Sequence, residues 1–238
     1  MGNKAVKQHF ETAQKTGVLK ISQQRLQEFP PHLRTFPNVL RTLDISENRF
    51  VTIPDKIGDF TLLKHLNLNH NRLVELPDAL GRLTKLESLN AINNLIARVP
   101  TQLANLINLK QVHLSNNQIT EFPIMLCGLK HLDILELSKN KITSIPSDVK
   151  DLQVTELNVN QNQISALAEE LADCPKLKIL RIEENCLPIT AIHSRILKES
   201  KISNIYLDGN MFQSKQFVDL DGYEEYMERY TAVKKKMF

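Results

Sequence analysis

The side chains best suited to chemistry are seven histidines and three cysteines, and their spacing does not gather them into a site. His65 and His113 lie two periods apart in a repeat described below, on strands about 10 Å apart at roughly 4.8 Å per strand. Zinc ligands must each approach a shared ion to about 2.0–2.1 Å, so this pair cannot hold a metal without further ligands. We therefore expect no metal and no cofactor.

The three cysteines, Cys127, Cys174 and Cys186, show no C-x-x-C spacing and are best interpreted as small apolar residues in the core. The chain also lacks the phosphate-binding glycine loops, the H-E-x-x-H zinc motif and the G-x-S-x-G nucleophile motif. With no catalytic residue to name, the sequence predicts a protein that is not an enzyme.

Composition narrows the class of partner and the compartment. Thirty basic and 27 acidic residues among 238 leave a net charge of +3, too balanced for a nucleic-acid-binding surface. The first cysteine comes after half of the chain, no asparagine lies in an N-x-[ST] sequon, and no signal-peptide core opens the sequence. No apolar run reaches the roughly 18 residues of a membrane span. We expect a cytoplasmic protein.

A repeat organises most of the chain. Asparagines recur every 22 to 25 residues after a short apolar segment, and a degenerate first copy has Gln24 in the same place, which gives nine turns over residues 17–212. The marker residues are Asn48, Asn71, Asn94, Asn117, Asn140, Asn162, Asn185 and Asn210. The pattern L-x-x-L-x-L-x-x-N-x-L resembles the leucine-rich-repeat family. That resemblance implies an α/β solenoid with parallel strands on a concave face and short helical or extended segments on the convex face.

Apolar and polar residues alternate before each marker, as in Leu66 and Leu68, which predicts a short strand with one buried face. Each marker asparagine should bond the backbone groups that the following turn leaves unpaired. A proline such as Pro77 begins the outer side of most repeats and predicts an extended start there. After Asn162 the proline is missing, and residues 166–174 look helical.

Both ends of a stacked core need a cover. Residues 1–16 form a predicted anchor and capping helix, with Val6, Phe10 and Ala13 on one face and Gly17 as its stop. Residues 213–238 form a predicted capping helix and basic tail, in which tyrosines lie at helical spacing. The alternative for that tyrosine stripe is a surface on which a partner docks.

The polar strand residues form columns on the predicted concave face, and we expect a protein partner there. The central column supplies seven of the predicted contact residues and the next column supplies two, namely Asn67, Asn90, His113, Glu136, Asn158, Arg181 and Tyr206, then Glu183 and Asp208. Carboxylates are concentrated towards the C-terminal end, which favours a basic patch on the partner, and arginine and tyrosine are frequent binding hot spots. The alternative is that these residues merely keep the strands solvated.

The start MGNKAVK exposes Gly2 after methionine removal and resembles a myristoylation signal, with Val6 in place of serine or threonine. The segments MGNKAV, ETAQKTGV and GYEEYMERYTAVKKK, around nine repeats, closely resemble the ends of one small intracellular member of the family. That resemblance implies a lipid-anchored protein without catalytic activity. The lysines at 234–236 are either a second membrane contact or a solvated tail.

Together these features predict a monomeric protein-binding adaptor or scaffold, attached to a membrane through Gly2. The alternative is a regulatory subunit of a phosphatase or a small GTPase, which stoichiometric co-purification of the enzyme would reveal. An enzyme with a dispersed active site is the third class, and it would require a closed, catalytically furnished pocket.

Overall fold

The computed structural model describes residues 2–31, 33 and 38–235, with side chains from residue 9 onwards. The chain divides into two compact units. The first contains the described residues up to Gln118 together with Leu129–Leu132, and the second contains Ile119–Gly128 and the described residues from Asp133.

The first unit begins with helix α1 (Gly2–Thr16) and continues through five short parallel strands in chain order. These are β1 (Val18–Lys20), β2 (Thr42–Asp44), β3 (His65–Asn67), β4 (Ser88–Asn90) and β5 (Gln111–His113). On the outer side of the coils, the 3-10 helices that lie wholly among the described residues of this unit are Asp55–Asp59, Asp78–Arg82 and Thr101–Asn105.

The second unit has four parallel strands in the order β6 (Ile134–Glu136), β8 (Glu156–Asn158), β10 (Ile179–Arg181) and β11 (Asn204–Tyr206). On the outer side β7 (Ser144–Ile145) pairs with β9 (Ala166–Leu167). The 3-10 helices are Ile124–Leu126, Ser147–Asp151, Glu169–Asp173 and Ile189–Ala191. Three α-helices follow, α2 (Ser194–Glu199), α3 (Ser214–Val218) and α4 (Tyr223–Lys234).

The repeat positions predicted to be apolar line the core of each unit. Leu66 and Leu68 are fully buried, as are their counterparts Leu157 and Val159 in the second unit. The strands are in register from coil to coil, so that Leu66 lies beside Leu89 and Leu157 beside Leu180. The predicted leucine-rich-repeat fold with parallel strands is confirmed.

The marker asparagines make the predicted backbone bonds. Asn117, only 3% exposed, donates through Nδ2 to the carbonyls of Ala91 at 2.9 Å and Leu114 at 2.9 Å. Its Oδ1 accepts the N–H of Ile96 at 3.1 Å. One buried side chain thus satisfies backbone groups of its own turn and of the preceding coil, which no apolar residue could do.

The outer side begins extended at most of the prolines that precede a 3-10 helix, as at Pro77 with φ −70° and ψ 144°, but not at Pro123, whose ψ is 74°. The predicted helix over residues 166–174 is wrong. Ala168 keeps the extended backbone of the prolines, Leu167 is buried, and Ala166–Leu167 pairs with β7 before a single 3-10 turn. Burying Leu167 and pairing with a neighbouring coil outweigh the helical propensity of this short segment.

The two end helices cover the neighbouring strands. Phe10 and Ala13 of α1 are buried, and Gly17 follows the helix at φ +72°, donating its N–H to Ala13. In α4 Tyr226 is 5% exposed, and its hydroxyl accepts the N–H of Ile205 in β11 at 3.1 Å. The side chain of Val6 and residues 236–238 of the predicted tail lie outside the described part.

The cysteines divide into two kinds. Cys127 and Cys174 are buried, as interpreted from the sequence, and burial raises the pKa of each thiol to about 12. Such thiols remain protonated and are poor nucleophiles. The interpretation of Cys186 as a core residue is wrong, because Cys186 is exposed.

Candidate protein-binding surface

In the first unit the predicted contact residues Asn67, Asn90 and His113 are the last residues of β3, β4 and β5. Strand register places Asn67 beside Asn90 and Asn90 beside His113, and all three are half-buried. Asn90 donates to the Ser88 hydroxyl at 3.2 Å, and Asn67 accepts the N–H of Asn69 at 3.1 Å. Partial burial lowers the pKa of His113, which favours its neutral form. This stretch is therefore polar but uncharged.

In the second unit Glu136, Asn158, Arg181 and Tyr206 end β6, β8, β10 and β11 and lie side by side in register. The guanidinium of Arg181 donates to the Glu156 carboxylate at 2.5 Å, and this hydrogen bond is the main cause that raises the pKa of Arg181. The same guanidinium carbon lies 4.4 Å from the centre of the Tyr206 ring. Arg181 is thus held from two sides by residues of its own chain.

Glu136 has an unfavourable position for a carboxylate. Its burial raises its pKa, and the nearby Glu156 raises it further, while a hydrogen bond with Asn158 and the charge of Arg181 lower it. A cation from a partner would relieve this crowding, since an opposite charge nearby stabilises the ionised form.

Glu183 and Asp208 occupy the next column of the same unit. Asn160 donates to the Glu183 carboxylate at 2.7 Å and accepts the Glu183 N–H at 2.8 Å. The N–H of Glu184 donates to the Asp208 carbonyl at 2.8 Å, which brings these acidic residues of neighbouring coils together.

The structure therefore gathers six predicted contact residues on the strand side of the second unit, namely Glu136, Asn158, Arg181, Tyr206, Glu183 and Asp208. Asn67, Asn90 and His113 form a separate row in the first unit. The sequence analysis placed carboxylates towards the C-terminal end but missed the pairing of Glu156 with Arg181. The signal was available, because a first-position strand residue lies diagonally beside the third-position residue of the next coil.

In the part of the chain that the structure describes, no three histidine, cysteine or acidic side chains converge as a metal site would require. None of the described helices is both long and apolar enough to cross a bilayer. Gly2, the predicted lipidation site, is the first residue of α1.

The sequence matches family models of the leucine-rich repeat. A family model of the leucine rich repeat matches residues 18–73 and 38–96, and a model of two repeat copies matches residues 107–151. Together they match just over half of the chain. The chain belongs to the leucine-rich-repeat family, whose members generally mediate protein–protein interaction on a scaffold that typically has no enzymatic activity.

Solved structures agree with this assignment. An LRR protein of Leptospira interrogans is 27% identical with a TM-score of 0.76, over 89% of this chain and 53% of its own. An internalin of Listeria monocytogenes is 26% identical with a TM-score of 0.74, over 90% of this chain and 61% of its own. The plant peptide hormone receptor RGFR1, in complex with RGF2, is 26% identical with a TM-score of 0.66, over 81% and 32%. The chain thus spans between about half and three fifths of the first two proteins.

Proposed function

We propose that this chain is a non-catalytic, cytoplasmic adaptor or scaffold that binds a protein partner on the strand side of its second unit. The observation that supports this most directly is Arg181, held by Glu156 at 2.5 Å and by the Tyr206 ring at 4.4 Å. Arginine and tyrosine are the residue types that most often dominate binding energy. Holding them in place beforehand reduces the entropy lost when a partner binds.

The surface is also accessible. Tyr206 is 37% exposed, and the side chain of Arg181 is 33% exposed despite its two contacts. In RGFR1 the same fold is seen with RGF2 bound, which supports a binding role without naming a partner for this chain.

The test is affinity capture from cells with the tagged full chain, followed by quantitative mass spectrometry. Arg181→Ala combined with Tyr206→Ala should reduce recovery of the specific partner at least about tenfold, as loss of two hot-spot side chains does. Arg98→Ala is the matched control, because Arg98 is an exposed arginine outside the strands. Equal recovery with the double variant and with Arg98→Ala would remove the proposal.

We further propose that Gly2 is myristoylated and holds the protein on a membrane, as the resemblance of its ends suggested. One acyl chain binds membranes only marginally, so Lys4 and Lys7 would have to add about 1 kcal/mol each against anionic lipid. Labelling cells with an alkyne analogue of myristate should mark the wild type and Asn3→Ala but not Gly2→Ala. Membrane recovery that is the same for all three proteins would contradict the anchor.

The alternative is a regulatory subunit of a phosphatase or small GTPase. The capture experiment separates the two roles, because a stoichiometric enzyme that is lost with the Arg181 and Tyr206 variant favours regulation. Several substoichiometric partners lost together favour a scaffold.

A further inference from the structure

The last coil of the second unit leaves part of its core open. β11 is the final strand of its sheet among the described residues, so no further coil covers its inward side chains. Ile205 and Leu207 are consequently half-buried, whereas their counterparts Leu180 and Ile182 are 1% and 0% exposed.

Helix α4 covers only one side of this opening. The Tyr226 hydroxyl takes the N–H of Ile205 that a further strand would otherwise receive, which blocks strand addition at that point. Between β11 and α3 a groove of about 220 Å³ remains. Its lining includes the apolar side chains of Ile205, Leu207, Phe212 and Phe217, together with Asp208, Gly209 and Ser214, so polar and apolar atoms contribute comparably to its surface.

The volume of this end groove decides what could fill it. Sites for drug-sized molecules range from about 300 to 1,000 Å³, whereas an apolar cavity of about 150 Å³ already accepts a benzene ring. The end groove therefore has room for one apolar side chain. Met211 and Val218, 72% and 50% exposed, extend the apolar surface close to it in sequence.

The charge beside the end groove is negative. Asp208 lines it, and the Glu184 side chain lies against Gly209, where an added Cβ would be 3.0 Å from the Glu184 Cγ. Within the described part of the chain, neither carboxylate takes part in an ion pair. The chain as a whole carries +3, so any attraction for a cation here is local.

We propose that the end groove binds one apolar side chain of an extended, basic protein segment, whose flanking arginine or lysine contacts Asp208 and Glu184. The inference rests on the proposed binding function and extends it, since Asp208 belongs both to the strand-side column and to the wall of the groove. The size of the groove favours one apolar side chain, and the carboxylates of Asp208 and Glu184 favour basic residues next to it in the bound segment. The blocked edge of β11 means that recognition occurs through side chains rather than through strand pairing.

The test is fluorescence anisotropy with three labelled peptides and the full-length protein. The first has a central leucine between pairs of arginines, the second has alanine for the leucine, and the third has glutamates for the arginines. Binding of the first peptide should weaken about tenfold or more when leucine becomes alanine, because a buried leucine contributes about 1.5–3 kcal/mol. The peptide with glutamates in place of the arginines should bind more weakly than the alanine peptide does.

Three variants locate the binding. Ser214→Phe fills the groove from an exposed position, and Asp208→Lys reverses its charge without touching the core. Both should weaken the leucine peptide about tenfold, and Asp208→Lys should improve binding of the glutamate peptide. Glu121→Lys is the control, since Glu121 is an exposed carboxylate in the same unit outside the groove lining, and it should leave binding unchanged.

The proposal is overturned if leucine and alanine peptides bind equally, if Asp208→Lys matches Glu121→Lys, or if no peptide binds at up to about 1 mM. The affinity-capture experiment then distinguishes failure of the end-groove proposal from failure of the proposed strand-side function. If Arg181→Ala with Tyr206→Ala loses that partner while Ser214→Phe retains it, the end groove is wrong and the strand-side function stands. If the first variant retains the partner, the strand-side function fails by itself.

Discussion

The two units share the same buried asparagine hydrogen bonds, but each contains one carboxylate whose pKa is shifted in the opposite direction from the other. In the first unit Glu87 lies between Lys110 at 2.7 Å and Lys64 at 2.8 Å, and these bonds lower its pKa to about 2. In the second unit Glu136 is partly buried beside Glu156, and its pKa is raised. The Glu87 carboxylate is thus compensated by two lysines, whereas the Glu136 carboxylate is left partly uncompensated. The buried asparagines satisfy backbone groups of the fold, whereas exposed side chains are free to contact a partner.

The largest effect should come from the shared asparagine hydrogen bonds. Asn117→Ala and Asn162→Ala should each lower the free energy of unfolding by about 2–4 kcal/mol, because an unpaired buried backbone group costs about 1–3 kcal/mol. The losses should be similar, since Asn162 repeats the geometry, donating to Leu137 and Val159 at 3.0 Å and accepting from Ile142 at 3.0 Å.

Urea denaturation followed by circular dichroism measures both variants, with Asn90→Ala as the control for a half-buried asparagine. If only one of the two variants, Asn117→Ala or Asn162→Ala, lowered the free energy of unfolding, the asparagine hydrogen bonds of the two units would not be equivalent.

The second effect concerns the outer sides of the coils, where the units differ. A Cβ on Gly81 would lie 2.5 Å from the Gln102 carbonyl oxygen and 2.7 Å from its Cβ, so Gly81→Ala should cost about 1–3 kcal/mol. A Cβ on Gly128 would meet nothing within 4 Å. Gly128→Ala should therefore be neutral or stabilise by about 0.5 kcal/mol through the unfolded chain. Equal melting temperatures for the two variants would contradict the close packing of the first unit.

The third effect is pH dependence, which should have opposite signs at Glu87 and Glu136. The lowered pKa of Glu87 stabilises the folded chain above the ordinary value of 4.5, and this contribution disappears as the pH falls towards 2. The raised pKa of Glu136 stabilises the fold below the ordinary value, and this contribution is lost as the pH rises through the folded-state pKa.

At neutral pH Glu87→Gln should therefore destabilise the protein slightly, and Glu136→Gln should stabilise it. Unfolding titrations at several pH values and two salt concentrations check this. Salt should weaken the Glu87 contribution, because its partners are exposed lysines. The same sign for both variants would remove the electrostatic contrast between the units.

Sequence periodicity was sufficient for the strands, the buried leucines and the asparagine bonds, because these positions recur with a fixed chemical requirement. It failed at residues 166–174 and at Cys186, where the side chain's surroundings are set by the neighbouring coil rather than by local sequence. Charge pairs such as Lys64 with Glu87 lie one coil apart and could have been found by aligning the repeats. The end groove could not have been found from the sequence, because it forms where the repeats stop and α3 lies beside β11.

The smallest effect tests a turn that both units share. The residue before each marker adopts positive φ, with Asn93 at 56° in the first unit and Lys139 at 56° in the second. Asparagine tolerates this conformation better than lysine does, so Lys139→Asn should stabilise the fold by about 0.5 kcal/mol. Asn93→Lys should cost more than that, because Asn93 also bonds the side chains of His70 and Asn116. Differential scanning calorimetry resolves both changes, and a destabilising Lys139→Asn would mean that the lysine makes a contact outweighing its backbone strain.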